Sequence, residues 1–397
     1  MSEPKKRCGV FVRIVVALPV LFLFCGNTLA TDLVHSTDYL SEARAYLGAT
    51  TINNLALFAG GYNEMEASKV VDIYNYNTGQ WSIDTLGFGT GGSQVATSVG
   101  SKAIFTNGAE VNIYDTDTSS WSPAMLSQIR GGVAATSVDN LALFAGGGGF
   151  VETPFDTVDI YNNNTGLWST ATLSQARGFM AATTVGQKAI FAGGTTSLNR
   201  PMLPCDQVDI YDNNTGIWST ASLSEARADI AVTTVGQKAI FAGGDRMNFV
   251  GVSESDMVDI YDASTGQWTT ARLSQARTGI SATTLGNLAI FAGGRYDGFS
   301  LSDIVDIYNA ETGVWSIMTL SEARFDLAAT TVGDMAIFAG GINYISTPPD
   351  PFGADLFLEE YSSMVDIFTI PEPGTLVLLG LGGISVIIRR AKACQLR

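Results

Sequence analysis

The chain has 397 residues, of which 22 are basic and 38 acidic, for a formal net charge of −16 with a single histidine. Such an acidic balance excludes a nucleic-acid-binding protein, which needs cationic side chains against phosphate, and one histidine excludes a histidine-rich metal site. Apolar residues make up 46% of the chain, enough at this length for a large core.

Residues 1–30 have the layout of a secretory signal: Lys5, Lys6 and Arg7, an apolar run over 14–24, and small residues at Thr28-Leu29-Ala30. Eleven apolar residues are too few to cross about 30 Å of hydrocarbon, so cleavage is expected rather than anchoring. Cys25 is not a lipoprotein site, because Phe24 before it is too bulky.

From residue 31 onward one unit recurs seven times. Its first half is an apolar strand ending at Phe58-Ala-Gly-Gly61, Phe105-Thr-Asn-Gly108, Phe144-Ala-Gly-Gly147, Phe191-Ala-Gly-Gly194, Phe241-Ala-Gly-Gly244, Phe291-Ala-Gly-Gly294 and Phe338-Ala-Gly-Gly341. Its second half is a Val-x-Ile-aromatic strand that starts at Val71, Val111, Val158, Val208, Val258, Val305 and Val365. A tryptophan follows in six units, at Trp81, Trp121, Trp168, Trp218, Trp268 and Trp315, with spacings of 40 to 50 residues. That period fits four short strands with their turns. In the fifth unit, 230–235 reads as the innermost strand, 238–242 as the second and 258–261 as the third, and Trp268 opens the fourth. Alternation puts Val258 and Ile260 on one face of the sheet and Asp259 and Tyr261 on the other. The Gly-Gly step and turns such as Asn213-Asn-Thr-Gly216 supply residues that tolerate left-handed backbone, and each indole is expected to fill space between adjacent sheets.

Gly-Gly after an apolar strand, a spaced Tyr, and a Trp after a Thr-Gly turn resemble the kelch β-propellers over residues 31–370. The resemblance implies an all-β, seven-bladed propeller of four-stranded blades, and implies little about function, since kelch discs serve as oxidases, adaptors and adhesion modules. The copper oxidase of that family depends on histidine and a Tyr-Cys pair that this chain lacks at matching positions, so no copper site and no other cofactor is expected. The seventh unit stops after Val365 without a fourth strand. His35 to Arg44 aligns with Trp218 to Arg227, so residues 33–39 are expected to supply the outer strand of the last blade and close the ring. His35 then stands in a tryptophan position, which takes the one histidine away from any Ser-His-Asp triad.

Loops between the Gly-Gly step and the Val-x-Ile strand vary from two residues in the second blade to 23 in the seventh, all on one face of the disc, where a binding site is expected. They carry Tyr62, Phe150, Phe155, Phe249, Tyr296, Phe299, Tyr344, Phe352, Phe357 and Tyr361 beside many carboxylates, a composition that suits sugar rings and equally suits pinning the loops to the disc. A recurrent turn before the first strand places Arg44, Arg130, Arg177, Arg227, Arg277 and Arg324 on the same face. These residues either ring a channel as an anion grip or tie each turn to a neighbouring blade through backbone carbonyls. Two residues further on, Asp229 and Asp326 occupy equivalent positions where other blades have Tyr46, Gly132, Phe179 and Gly279. They either serve as the acid and base of a glycoside hydrolase near the channel mouth or stand there by coincidence among the 36 acidic residues of 31–370. The acidic stretches at 115–117 and 256–259 are too short for a calcium loop, so no metal is expected.

Residues 371–397 close the chain. Pro371-Glu372-Pro373, an apolar segment over 375–388 and then Arg389 and Arg390 resemble the PEP-CTERM sorting signal of Gram-negative bacteria. That signal implies a short transmembrane segment and recognition and cleavage by an exosortase. Positive charge just after the segment fits a cytoplasmic end. Without both ends the remaining 31–370 hold 14 basic and 36 acidic residues and one cysteine, Cys205, so no intrachain disulfide is available. The expectation is a secreted or cell-surface propeller that sits transiently in the inner membrane through its tail. It would be a non-enzymatic binding or structural module of the extracellular matrix, with polysaccharide or a surface protein as partner, and a carboxylate-dependent polysaccharide hydrolase is the alternative.

Overall fold

A computed structural model describes residues 33–371, apart from 90, 93, 149–152, 199–202, 247–252, 299 and 347–356. The side chains at 345, 346, 357 and 358 also lie outside the description, as do the signal at 1–30, the apolar segment at 375–388, and Glu372, Pro373, Arg389 and Arg390.

Every described sheet of four strands is one repeat, paired antiparallel in the order first to fourth. Blades 1 to 6 span 48–85, 95–125, 134–172, 181–222, 231–272 and 281–319. Blade 5 illustrates the pattern with strands Ala231–Val235, Lys238–Ala242, Met257–Asp262 and Gln267–Arg272. Blade 7 takes three strands from the end of the domain, Ala328–Val332, Met335–Ala339 and Met364–Thr369, and its outer strand from the beginning, Val34–Tyr39. Val34 pairs with Thr369 and Tyr39 with Met364, so the ring closes as the alignment of His35 with Trp218 requires. His35 stacks on Phe368 with ring centres 4.6 Å apart, and its Nε2 lies 2.7 Å from Asp366 Oδ1. Trp81 of blade 1 locks onto the closing strand by donating from Nε1 to Asp38 at 2.8 Å.

The alternation in the third strand determines how blades stack. Val71 and Ile73 of blade 1 pack towards Phe105, Tyr114 and Trp121 of blade 2, whereas Phe58, Tyr74 and Trp81 pack towards Val332, Ile337 and Ile367 of blade 7. The same two-faced arrangement recurs around the ring. Six of the phenylalanines that end the second strand are among the largest fully buried side chains, each worth about 2–3 kcal/mol of apolar transfer. First strands of neighbouring blades lie side by side around the axis. They are stitched by threonine hydroxyls: Thr136 to Thr184, Thr183 to Thr234, Thr233 to Thr284, Thr283 to Thr331 and Thr51 to Thr330, all at 2.7–2.9 Å. At the two remaining junctions the second partner is Ser98 or Ser137. Serine lacks the methyl that holds a threonine side chain to few rotamers.

The recurrent arginines tie the blades together from inside. All six are 0–1% exposed. In each, one terminal nitrogen donates to the carbonyl of the first glycine of the Gly-Gly step at 2.5–2.7 Å and to a carbonyl at the entry of the third strand. The other reaches the aspartate of that strand, pairing Arg44 with Asp72, Arg130 with Asp159, Arg177 with Asp209, Arg227 with Asp259, Arg277 with Asp306 and Arg324 with Asp366. These side chains therefore bind within the blade they introduce. The neighbouring blade is held by the arginine backbone, as when Gly194 N donates to Arg227 O at 2.8 Å. The Gly-Gly step is obligatory for this approach. Gly244 has φ +99°, and a Cβ there would come within 2.5 Å of the Ala228 carbonyl.

Two expectations test this frame. Removal of residues 31–39 opens the ring and lowers the melting temperature sharply, and an unchanged melt would show that Val34–Tyr39 does not close it. Arg177→Ala strands Asp209 in the core and costs about 3–5 kcal/mol in denaturant unfolding. Adding Asp209→Asn recovers part of that loss, and a double variant no more stable than the single would reject the charge-pair account.

Candidate functional site

A cavity of about 570 Å³ opens at the centre of the face that carries the variable loops, and residues from all seven blades line it. Each recurrent arginine anchors the turn, and the residue two positions later reaches the cavity wall. These residues are Tyr46, Gly132, Phe179, Asp229, Gly279 and Asp326. All six have positive φ, between 50° and 63°. Glycine adopts that region freely and aspartate tolerates it, whereas Tyr46 and Phe179 are bulky residues for which it is strained. The strain sits where the side chains face the open centre of the disc, and both aromatic residues are about 40% exposed.

Asp229 and Asp326 thus line one cavity. Asp229 opens onto the cavity, yet protein surrounds it on most sides. That desolvation pushes its carboxyl up to about 7, with repulsion from Asp326 and Asp245 adding and Arg295 opposing. Burial pushes Asp326 up to about 6, opposed by Arg295 and by a hydrogen bond from Tyr46, with Glu359 adding. The Tyr46 hydroxyl is in turn raised, first by burial and then by Asp326. Arg295 lies over the Phe325 ring, 5.5 Å from its centre. The cavity thus holds two carboxyl groups raised towards neutral pH, an arrangement able to accept hydrogen bonds, bind a cation or exchange a proton.

The other sequence candidates are placed as follows. The six arginines are buried in their ion pairs and do not offer guanidinium groups to a ligand in the channel, because the aspartates and carbonyls of their own blades occupy them. Tyr62 stands edge-on to the cavity residue Tyr46, with ring centres 6.4 Å apart. Tyr344 and Tyr361 pack against the small cluster of Ala45, Phe325 and Ile342, with Tyr344 6.0 Å from Phe325, so these two pin the ribbon Ile342–Ser346/Phe357–Tyr361 to the disc. Tyr361 also lines a smaller cleft of about 310 Å³ beside Tyr39 and Glu322. Phe155 is half-buried, and its backbone N–H donates to Gly147 O at 2.8 Å. Tyr296 lies half-buried in the two-residue ribbon Arg295–Tyr296/Ser300–Leu301. Phe150, Phe249, Phe299 and Phe352 lie outside the described residues, as does the side chain of Phe357. Pro371, the first residue of the sorting motif, is the last residue described.

Tyr46, Phe179, Phe325 and Arg295 are cavity residues that the loop-based reading passed over. The signal for the first two was the column two residues after the arginine, which also holds Asp229 and Asp326. For Arg295 it was the residue directly after Gly-Gly, a column shared with Tyr62, Thr195, Asp245 and Ile342. Among the described residues no group of three or more His, Cys, Asp or Glu is placed to hold a metal ion.

Comparisons with known proteins agree with this architecture. A kelch motif model matches residues 43–83, and a PEP-CTERM protein-sorting motif model matches residues 369–391. No curated protein matches the chain. The solved structure of YjhT is similar in fold at 17% identity, with a TM-score of 0.51 over 68% of this chain and 94% of that one. The protein is a seven-bladed β-propeller with a kelch motif and a C-terminal exosortase sorting motif.

Asp229 and Asp326 lie outside both matched segments, so their titration is a property of this chain's own cavity. A carboxyl whose folded pKa is raised contributes stability that is present at low pH and lost as pH rises through that pKa. For Asp229 the loss spans from about 4, the unfolded carboxylate value, to about 7. Asp229→Asn is therefore expected to raise the melting temperature by about 2 °C or more at about pH 8 and to leave it unchanged at about pH 4. Equal shifts at both pH values would show that ionisation is not the cause.

Proposed function

We propose that the protein is a secreted binding module displayed at the cell surface or in the extracellular matrix, and that it holds polysaccharide at the face bearing the central cavity. On this reading residues 1–30 direct export and 31–370 form the disc. Residues 371–397 are the tail recognised by an exosortase, with 375–388 in the inner membrane until the tail is cleaved. The sorting motif supports export and surface display.

One observation carries the ligand class: two exposed aromatic rings, Tyr46 and Phe179, share a cavity with two carboxylates and Arg295. A sugar ring presents apolar C–H faces to aromatic rings and hydroxyls to carboxylates, and the cavity lies within the roughly 300–1,000 Å³ typical of small-molecule sites. The acidic surface keeps the disc soluble outside the cell.

A second reading follows from two carboxyls, Asp229 and Asp326, that line one cavity and are both raised by desolvation. A carboxylic acid and a carboxylate across one cavity are the pair that hydrolyses glycosidic bonds, the acid protonating the leaving oxygen and the carboxylate activating water.

Both readings are tested by migration of the secreted protein through native gels containing the host's extracellular polysaccharide, with reducing ends assayed in the same samples. Retardation without release of reducing ends is expected. Phe179→Asn, which removes the ring but suits positive φ, should weaken retardation about tenfold. Unchanged migration of the native protein would instead favour a protein partner. Release of reducing ends that disappears in Asp229→Asn would establish the hydrolase.

A further inference from the structure

We infer that the central cavity receives the terminal residue of a glycan that carries an unacylated amino group, binding its ammonium between Asp229 and Asp326. The inference rests on the glycan-binding reading above and specifies the chemistry of its central site.

The shape of the cavity calls for a chain end. Turns from all seven blades ring it at the disc axis, a shape that suits the end of a chain better than a polymer lying across it. A volume of about 570 Å³ holds one or two sugar residues with their water.

The charge calls for a cation. Asp229 and Asp326 are on the wall, and Asp245 and Glu359 add negative potential behind them. Opposing these is Arg295, whose guanidinium is stacked on Phe325 and makes no ion pair within 4.0 Å among the described residues. Arg130, also at the cavity edge, is already neutralised by Asp159. Among the described residues the wall carboxyls Asp229 and Asp326 thus face Arg295 alone as an unpaired cation, and a ligand ammonium would supply further positive charge through charge-assisted hydrogen bonds. Exposed Tyr46 and Phe179 rings offer that ammonium π faces and offer the sugar C–H face an apolar platform. An N-acetyl group would remove the charge and bring a carbonyl acceptor towards carboxylates that are themselves acceptors.

Binding must then depend on pH. The groups facing the ammonium are Asp229, with Asp326, Asp245 and Arg295 around it, and Asp326, with Arg295, Tyr46 and Glu359 around it. In the free protein these two carboxyls hold protons up to about 7 and about 6. An ammonium ligand displaces those protons, so affinity rises with pH until the sugar amine itself deprotonates.

The test is calorimetric titration of the secreted protein with the methyl glycosides of glucosamine, N-acetylglucosamine and glucose, at about pH 5 and about pH 7.5. The glucosamine glycoside is expected to bind at least tenfold more tightly than the other two at the higher pH and to lose about tenfold at the lower. The Asp229→Asn/Asp326→Asn double variant should lose that preference. Asparagine adopts positive φ as readily as aspartate, so a cooperative thermal melt no lower than that of the native protein verifies that the variant is folded. Equal binding of the three sugars, binding of none, or a preference retained by the double variant overturns the inference. If the double variant is still retarded by polysaccharide in gels while glucosamine fails to bind, the amine site is rejected and the surface-binding reading stands. If glucosamine binds while no polysaccharide retards the native protein, the polymer-binding reading is what fails.

Discussion

A buried ion pair between the arginine that precedes each blade and the aspartate of its third strand holds the disc together. Each pair sits where one blade hands over to the next, and the aspartate catches the same turn again by accepting a backbone N–H, as in Ser224 N to Asp259 Oδ1 at 2.9 Å. Burial holds the guanidinium groups of Arg44, Arg130, Arg227, Arg277 and Arg324 below their ordinary pKa, with the paired aspartates pulling the other way. Burying two charges is expensive, and only several simultaneous hydrogen bonds offset it. The first glycine of the Gly-Gly step supplies one of them through its carbonyl, and its missing Cβ makes room for the backbone of the next blade's arginine, as at Gly193 beside Arg227 O.

Blade 2 shows that the two partners are one unit. It has no arginine in the turn, and the third-strand residue there is Asn112 rather than aspartate. Asn112 bonds the same turn as a neutral amide, accepting from Phe88 N at 2.7 Å and donating to Phe88 O at 3.0 Å. An aspartate in that place would be a buried charge without a counter-ion. The first glycine of the Gly-Gly step is replaced in the same blade, where Asn107 precedes Gly108.

With the arginine fixed by its aspartate, the residue two positions later is held at positive φ over the disc centre whatever its identity. Frame and cavity are thereby separated: the repeat preserves the arginine, while the cavity column runs through tyrosine, glycine, phenylalanine and aspartate. The same logic explains the variable loops. The antiparallel ladder ends at the Gly-Gly step and resumes at the Val-x-Ile strand, so the residues between are free to lengthen, and in blades 6 and 7 they form small ribbons of their own.

The sequence by itself determined the number of blades, the order of strands in each and the closure by residues 34–39. These follow from local patterns, period-two alternation and turn glycines, repeated often enough that one degenerate copy does not hide them. It also left the recurrent arginines open between a ligand ring and a structural tie, because one residue type at one spacing serves either role. Only the tertiary structure decided that matter, since whether a guanidinium is buried depends on the carboxylate 28 to 42 residues further along the chain. Likewise, bringing Tyr46, Phe179, Asp229, Arg295 and Asp326 to one cavity required the ring to close. These residues span 280 positions, and curvature of the whole disc, not any local pattern, selects the column that faces its axis.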